Sequence, residues 1–356
     1  MLNSYFLERE EILDSLYISL ISKQHCFLLG PPGTAKSLMI SSICKSIEGA
    51  KYFQYLLTKF TTPEEIFGPF SLQELEKGNY LRITKNKLPE AHIVFLDEVF
   101  KASSAILNSL LTIMQERIFF NNSDPIKVPL ISLFGASNEL PQGEELQALY
   151  DRFLIRLDVN YISEDSNFIE LLKLPDEVKI EKVMTIDDLF QLQENCKKVK
   201  ISDVIIETIL KIKKELLKEG IIASDRRWKL SLNVLKAKAI WENKDEVEIE
   251  DLTFLTNCLW SEPQQKRIIV KVITNIASPF ESRAIEIYDL AKEIYDNAIK
   301  ENSPEAGIEA NKKIKNLIEE LYELKEKHYT KKIEEIFIKV QEFQKEIIKS
   351  CLGVEL

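Results

Sequence analysis

The chain has 356 residues, 45% hydrophobic and 29% charged, with a formal net charge of −10; this is enough for two or three globular domains and argues against diffuse binding to nucleic acid. Five cysteines, odd in number, widely spaced and without a CxxC pair, argue against a disulfide framework or a structural zinc site, and three histidines argue against a histidine-rich metal centre. No apolar run approaches bilayer length, and the N-terminus MLNSYFLEREE has neither a basic flank nor an unbroken apolar segment, so the expected location is the cytoplasm.

The first element, EREEILDSLYISLISK, predicts an amphipathic helix with Ile12, Leu16 and Leu20 at i, i+4 spacing, and HCFLLG predicts a buried strand. GPPGTAKS, residues 30–37, follows directly. A phosphate loop asks for glycine, four residues, then Gly-Lys-Ser/Thr, so that backbone N–H groups wrap the phosphates while the lysine and hydroxyl reach the β/γ-phosphates and magnesium. Gly30, Lys36 and Ser37 fit, and Ala35 stands where glycine is usual. An alanine is tolerated there if the backbone is already entering the right-handed helical region, since only a positive φ would demand glycine. KSLMISSICKSI then has helical spacing, which completes strand, loop and helix.

YFQYLLT is the next strand, and TTPEEIFG carries a helix start with Thr62 as cap, Pro63 at the first position and Glu65 at the third. The apolar run AHIVFLDEVFK ends in two adjacent carboxylates, Asp97 and Glu98. A surface turn would read the same way locally. At the end of a parallel strand behind a phosphate loop, Asp97 can hold the magnesium shell and Glu98 can polarise the attacking water. ASSAILNSLLTIMQERIFF predicts a further amphipathic helix, NNSDP a turn, and VPLISLFGASN a strand ending in Asn138, whose amide can reach the γ-phosphate or the water. LQALYDRFLIRLDV offers Arg152 and Arg156; the Asp151–Arg152 pair at a helix exit is either a surface salt bridge or a source of a charge donor to a nucleotide on another subunit.

Composition shifts near residue 160: the stretch around Pro175 is polar and irregular, and the following segments have helical spacing. Among them ASDRRWKL puts Arg226 and Arg227 at a helix start, opposing the positive end of the helix dipole, which an anion from a ligand would relieve. Toward the C-terminus, Ile314, Leu317, Leu321 and Leu324, then Ile333, Ile336, Val340, Phe343 and Ile347, keep 3,4 spacing within Lys/Glu-rich sequence broken near HYT. That seam predicts packing against the body, a sister helix or a partner.

Taken in order, GPPGTAKS, IVFLDEVFKA, GASNEL, LYDRF and SDRRW resemble the Walker A, Walker B, sensor 1, arginine-finger and sensor 2 segments of the MoxR branch of AAA+ ATPases, in particular its RavA-like group, over roughly residues 5 to 275. The resemblance implies ATP and Mg2+ as ligands, with the loop Gly30, Pro31, Pro32, Gly33, Thr34, Ala35, Lys36 and Ser37 on the phosphates and Ser37 with Asp97 on the metal. It implies Glu98 as the water-activating base, Asn138 as sensor 1, Arg152 as the finger given to a neighbour, and Arg226 as sensor 2 with Arg227 as second choice.

The same resemblance implies two inserts, GPFSLQELEKGNYLRITKN and RIFFNNSDPIKVP, facing a ring pore or a client. It implies a homo-oligomer, expected to be a hexameric ring, with a protein client, for which a separate von Willebrand factor A protein is a candidate. The RavA-like group can carry a small β-rich insert in its C-terminal region, where this sequence has helical Lys/Glu-rich spacing instead. The expected fold is α/β: a P-loop AAA+ core with a parallel sheet over 1–162, a linker over 163–195, a small all-α lid over 196–275 and a helical hairpin or coiled-coil-like extension over 276–356. The expected activity is ATP hydrolysis driving chaperone-like remodelling. A nucleotide-gated scaffold with negligible turnover and a nucleic-acid-acting ATPase are the alternatives.

Overall fold

The computed structural model describes residues 5–122, 124–175, 180–301 and 303–352. Five strands form one parallel sheet: β1 His25–Leu29, β2 Tyr52–Leu56, β3 Ile93–Asp97, β4 Ser132–Ser137 and β5 Phe153–Asp158, in the spatial order β2-β3-β4-β1-β5. Strands β1, β3, β4 and β5 are buried along nearly their whole length, whereas β2 at the edge alternates. Near-continuous apolar runs such as CFLL and IVFL are what a parallel sheet covered on both faces requires. One core joins Phe27, Val94, Leu133 and Phe153 to Ile106, Leu110 and Ile113 of the helix Ser104–Glu116.

The expected cap before helix Pro63–Phe67 is present as a capping box, with the Thr62 amide donating to Glu65 Oε2 at 2.7 Å. Both predicted inserts contain regular elements. The first contains the helix Leu72–Leu75 and closes through a Phe70–Arg82 bridge; the second is an antiparallel hairpin of Ile118–Asn121 and Asp124–Lys127. The buried Asn121 amide ties them together, accepting from the Arg82 amide at 2.7 Å and donating to the Arg82 carbonyl at 3.0 Å.

Residues 163–195, expected as linker, contain the helix Asp165–Leu171 and most of the helix Ile186–Lys198. The latter starts at a Thr185–Asp188 capping box and buries Leu189 and Gln193, the Gln193 amide donating to the Leu20 carbonyl at 2.9 Å. A boundary at 196 therefore cuts a helix. The chain divides into one compact unit of residues 1–206 and 221–266 and a second of 207–220 and 267–356. In the second unit, three helices, Pro279–Glu301, Pro304–Lys327 and Lys331–Leu352, pack together. Their core buries Ile287, Ile314, Leu321, Ile333, Ile336, Val340 and Ile347, so the apolar seam closes on sister helices. Among the described residues, no helix is long and apolar enough to cross a membrane.

Candidate nucleotide site

The loop 30–35 leaves the C-terminal end of β1 and enters the helix Lys36–Ser46. Gly30 sits where the chain passes β5: a Cβ there would lie 2.1 Å from the Val159 carbonyl oxygen. Gly33 has open space but φ +81°, the left-handed region that glycine adopts freely. Ala35 also has positive φ, at 62° with ψ 19°. The expectation that its backbone would already be right-handed is thus overturned: the residue that replaces glycine keeps glycine's conformation.

That strain is worth about 1–2 kcal/mol for an L-residue, partly offset by the roughly 0.5–1 kcal/mol greater entropy loss of glycine. Ala35→Gly is accordingly expected to leave nucleotide affinity within a few-fold and to change stability by about 1.5 kcal/mol at most. Titration with a fluorescent ATP analogue alongside urea unfolding checks both. A tenfold change in affinity would make the methyl group part of the binding geometry.

Lys36 is buried, and its ammonium donates to the Gly30 and Pro31 carbonyls at 2.8 Å each, bridging the loop. Burial lowers its pKa, opposed by the nearby Asp97 and Glu98 carboxylates. Asp97 ends β3 and its pKa is raised, chiefly by burial, against the pull of the Glu98 amide and Lys36. Asp97 Oδ1 accepts from that amide at 3.0 Å. Glu98 itself turns left-handed, with φ 53° and ψ 46°, and its carboxylate lies 3.2 Å from Lys101 Nζ.

Asn138 follows the last residue of β4 and is exposed. These groups converge: one cavity of about 410 Å3 is lined by residues 32–38 together with Asp97, Glu98 and Asn138. The end of β4 is fastened to the loop, the Gly30 amide donating to the Ser137 carbonyl at 3.1 Å.

The arginines lie elsewhere. Arg152 ends the helix Glu144–Arg152 and precedes Phe153, which pairs with His25 at the start of β1. It is therefore at the opposite edge of the sheet from the phosphate loop, about 15 Å away at the usual rise per strand residue. Its guanidinium donates to the Ala148 carbonyl at 2.8 Å and to Gln115 Oε1 at 3.2 Å, and its Nε has no partner among the described residues. Arg156 is almost wholly buried, stacked 3.7 Å from the Tyr150 ring centroid and donating to the carbonyls of Trp260, Phe153 and Tyr150. That removes it as an alternative charge donor.

The two arginines of SDRRW have different surroundings. Ser224 caps the helix Asp225–Trp241, accepting from the Arg227 amide at 3.2 Å. Arg227 is buried and donates to the Leu154, Cys258 and Phe153 carbonyls at 2.7, 2.6 and 2.9 Å, with Asp151 Oδ1 3.7 Å away. Backbone carbonyls, not a ligand anion, thus relieve the helix-start cost predicted for this arginine. The local Asp151–Arg152 pair considered from sequence gives way to Asp151–Arg227. Arg226 remains exposed beside it, on the same sheet edge as Arg152.

One feature had no signal in the sequence. A second cavity, about 660 Å3, lies between the N-terminal segment and the end of β5, with Arg9, Asp158, Asn160 and Tyr161 on its walls. The Tyr161 hydroxyl donates to the Pro32 carbonyl at 3.3 Å, which makes this cavity a neighbour of the phosphate loop. Glu8 holds its outer wall. Burial raises the pKa of that carboxyl, but hydrogen bonds from the Ser163 and Glu164 amides, Asn167 and the Ser163 hydroxyl outweigh it and bring the value down to about 2.

Comparison with known proteins agrees with this geometry. Residues 1–198 match a family profile described as the MoxR domain in the MoxR-vWA-beta-propeller ternary systems, and residues 204–273 match an AAA lid domain. The uncharacterised Methanocaldococcus jannaschii protein MJ0079 is 44% identical over 294 residues, which span 82% of this chain and 77% of that protein. Chaperone MoxR1 of Mycobacterium tuberculosis is 22% identical over 57% of this chain and 54% of its own length. In fold, a candidate ATPase from Cytophaga hutchinsonii superposes with a TM-score of 0.62 at 20% identity, covering 77% of this chain and 91% of that one. The ordered phosphate loop, the acid-tipped β3 and the two matched profiles together lead to one statement: the chain belongs to the MoxR family of AAA+ ATPases.

Proposed function

We propose that this protein is a magnesium-dependent ATPase that works as a homo-oligomeric ring, six subunits being the expected number, and remodels a protein client. The observation that carries the reading is the convergence of Lys36, Asp97, Glu98 and Asn138 on one cavity at the C-terminal edge of the sheet. The donor set fits the ligands. Ser37 and Asp97 are hard oxygen donors of the kind that hold Mg2+ jointly with substrate phosphates, and no cluster of three or more metal-ligating side chains is present among the described residues to suggest a self-sufficient metal site. Bound Mg-ATP supplies the transferable phosphoryl group and the Lewis acid.

The chain's own groups divide the remaining work. The loop amides and Lys36 orient the phosphates, and Asn138 positions the water at the γ-phosphate. Glu98 accepts that water's proton, and the cavity behind Tyr161 takes the base and ribose. Arg152 and Arg226, on the far sheet edge, serve the nucleotide of an adjacent subunit. A separate von Willebrand factor A protein is the proposed partner, following the systems for which the matched profile is described. Five buried free cysteines suit a reducing compartment, so the proposed location is the cytoplasm.

Lys36→Ala tests the site. Removing the ammonium that faces the phosphates is expected to cost at least about tenfold in affinity for a fluorescent ATP analogue, in line with a charge-assisted contact of roughly 1.5–3 kcal/mol. The fold should survive, as circular dichroism would record. Unchanged affinity would sink the loop assignment.

A further inference from the structure

The segment Val199–Ile206 and the helix Asp225–Trp241 enclose a groove of about 500 Å3 that shares no lining residue with the phosphate-loop cavity. Its floor is aliphatic, with Ile201, Ile206 and Leu230 contributing, and Ile206 is 45% exposed. Lys200, Lys229 and Lys236 stand around that floor, and no carboxylate lines it. In a chain with 57 acidic and 47 basic residues, a purely cationic rim is unexpected.

Nearby lysines behave differently. Lys197 pairs with Glu194 at 2.6 Å, Lys238 with Asp251 at 3.0 Å and Lys244 with Glu242 at 2.8 Å. The three groove lysines have no ion-pair partner among the described residues. Their backbones are nevertheless fixed. Lys200 is held by its amide to the Asp245 carbonyl at 3.2 Å and by its carbonyl from the Val247 amide at 3.0 Å, while Lys229 and Lys236 share one helix.

Seven residues apart on that helix, Lys229 and Lys236 lie on one face about 10 Å apart along the axis. The same interval separates carboxylates at i and i+7 of a second helix laid alongside. Aliphatic side chains between those carboxylates would cover the groove floor, and Lys200 would close the opposite rim. We infer that this groove docks an acidic amphipathic helix of a separate protein chain. The inference stands whether or not the ATPase reading does. A nucleic-acid strand fits less well, because the lining offers neither an aromatic ring for stacking nor an arginine.

The test uses the full chain and three fluorescein-labelled peptides of about five helical turns. One has a leucine stripe flanked by glutamates, the second has lysines for those glutamates, and the third scrambles the first. Fluorescence anisotropy is expected to show saturable binding of the glutamate peptide and at least about tenfold weaker binding of the other two, since both charge and stripe are required. The combined variant Lys200→Glu, Lys229→Glu, Lys236→Glu should weaken the glutamate peptide by about tenfold or more and gain binding of the lysine peptide. That exchange of preference also demonstrates a folded groove.

Absence of saturable binding up to about 1 mM, the weak limit of specific association, would overturn the inference. Equal binding of the scrambled peptide would do so too, as would binding that the triple variant leaves unchanged. A changed oligomer mass of the triple variant by light scattering would assign the groove to contact between copies of this chain. Displacement of the glutamate peptide by an equal concentration of a single-stranded oligonucleotide would assign it to nucleic acid. Either result would replace the inferred partner.

Discussion

Glu98→Gln is expected to bind ATP with native affinity and to release phosphate about 10²–10⁴ times more slowly, the range for loss of a positioned general base. The backbone places Glu98 where it can act: it follows the last residue of β3, and its left-handed conformation turns it out of the strand direction beside Asp97. Glutamine keeps the size of the side chain and its capacity to hold Lys101 by a hydrogen bond, but it cannot accept the water's proton. Asp97 and Ser37 are untouched, so magnesium and nucleotide should remain bound.

Single-turnover phosphate release, run beside nucleotide titration, separates the two effects. A variant that hydrolyses at the native rate would move the base elsewhere. A variant that loses nucleotide as well would show that Glu98 holds the loop together rather than acting on water. In the expected case the protein accumulates in its ATP-bound form, which makes it the natural material for trapping client or partner.

The fold, and which residues meet at the cavity beside the loop 30–37, were largely legible in the sequence, for a physical reason. A buried parallel strand needs an unbroken apolar run, so HCFLLG, IVFLD and SLFGASN each announce a strand; the polar ends of IVFLD and SLFGASN, and the glycine loop after HCFLLG, mark the edge at which each stops. Conformation and register were less legible. Nothing in the letters GTAKS tells whether Ala35 is right- or left-handed, because that depends on the loop's closure by Lys36 onto Gly30 and Pro31.

The two arginines of SDRRW are equivalent by pattern. They are separated by whichever one meets the carbonyls of Asp151–Leu154 and Cys258, contacts about 30 to 75 residues away in sequence. The helix Ile186–Lys198 was hidden by its polar surface, although its Thr185–Asp188 cap is a local signal that a closer reading of start patterns would find. The cavity behind Tyr161 is assembled by Glu8 reaching residues 163–167 and has no local pattern at all.

Arg152→Ala is expected to bind ATP nearly normally and hydrolyse it about 10³–10⁵ times more slowly, the contribution of an arginine finger to phosphoryl transfer. The sheet makes this a statement about neighbours. Arg152 and the loop 30–37 lie at opposite ends of adjacent parallel strands, β5 and β1, so in the proposed ring the guanidinium is offered to a neighbour's nucleotide and not to that of its own subunit. It follows that the loss should be repaired by a subunit that is itself inactive. A Lys36→Ala chain binds nucleotide weakly but still carries Arg152, whereas an Arg152→Ala chain binds nucleotide but carries no finger; side by side they complete one site. Purified variants would be mixed under conditions of subunit exchange, and phosphate release followed against mixing ratio with oligomer mass monitored in parallel. A bell-shaped profile rising above both pure variants is the expected outcome. Mixed rings that form without recovery would exclude Arg152 as a shared group. Because Arg156 and Arg227 are buried against backbone carbonyls, Arg226 would then be the arginine on that edge to test in the same way.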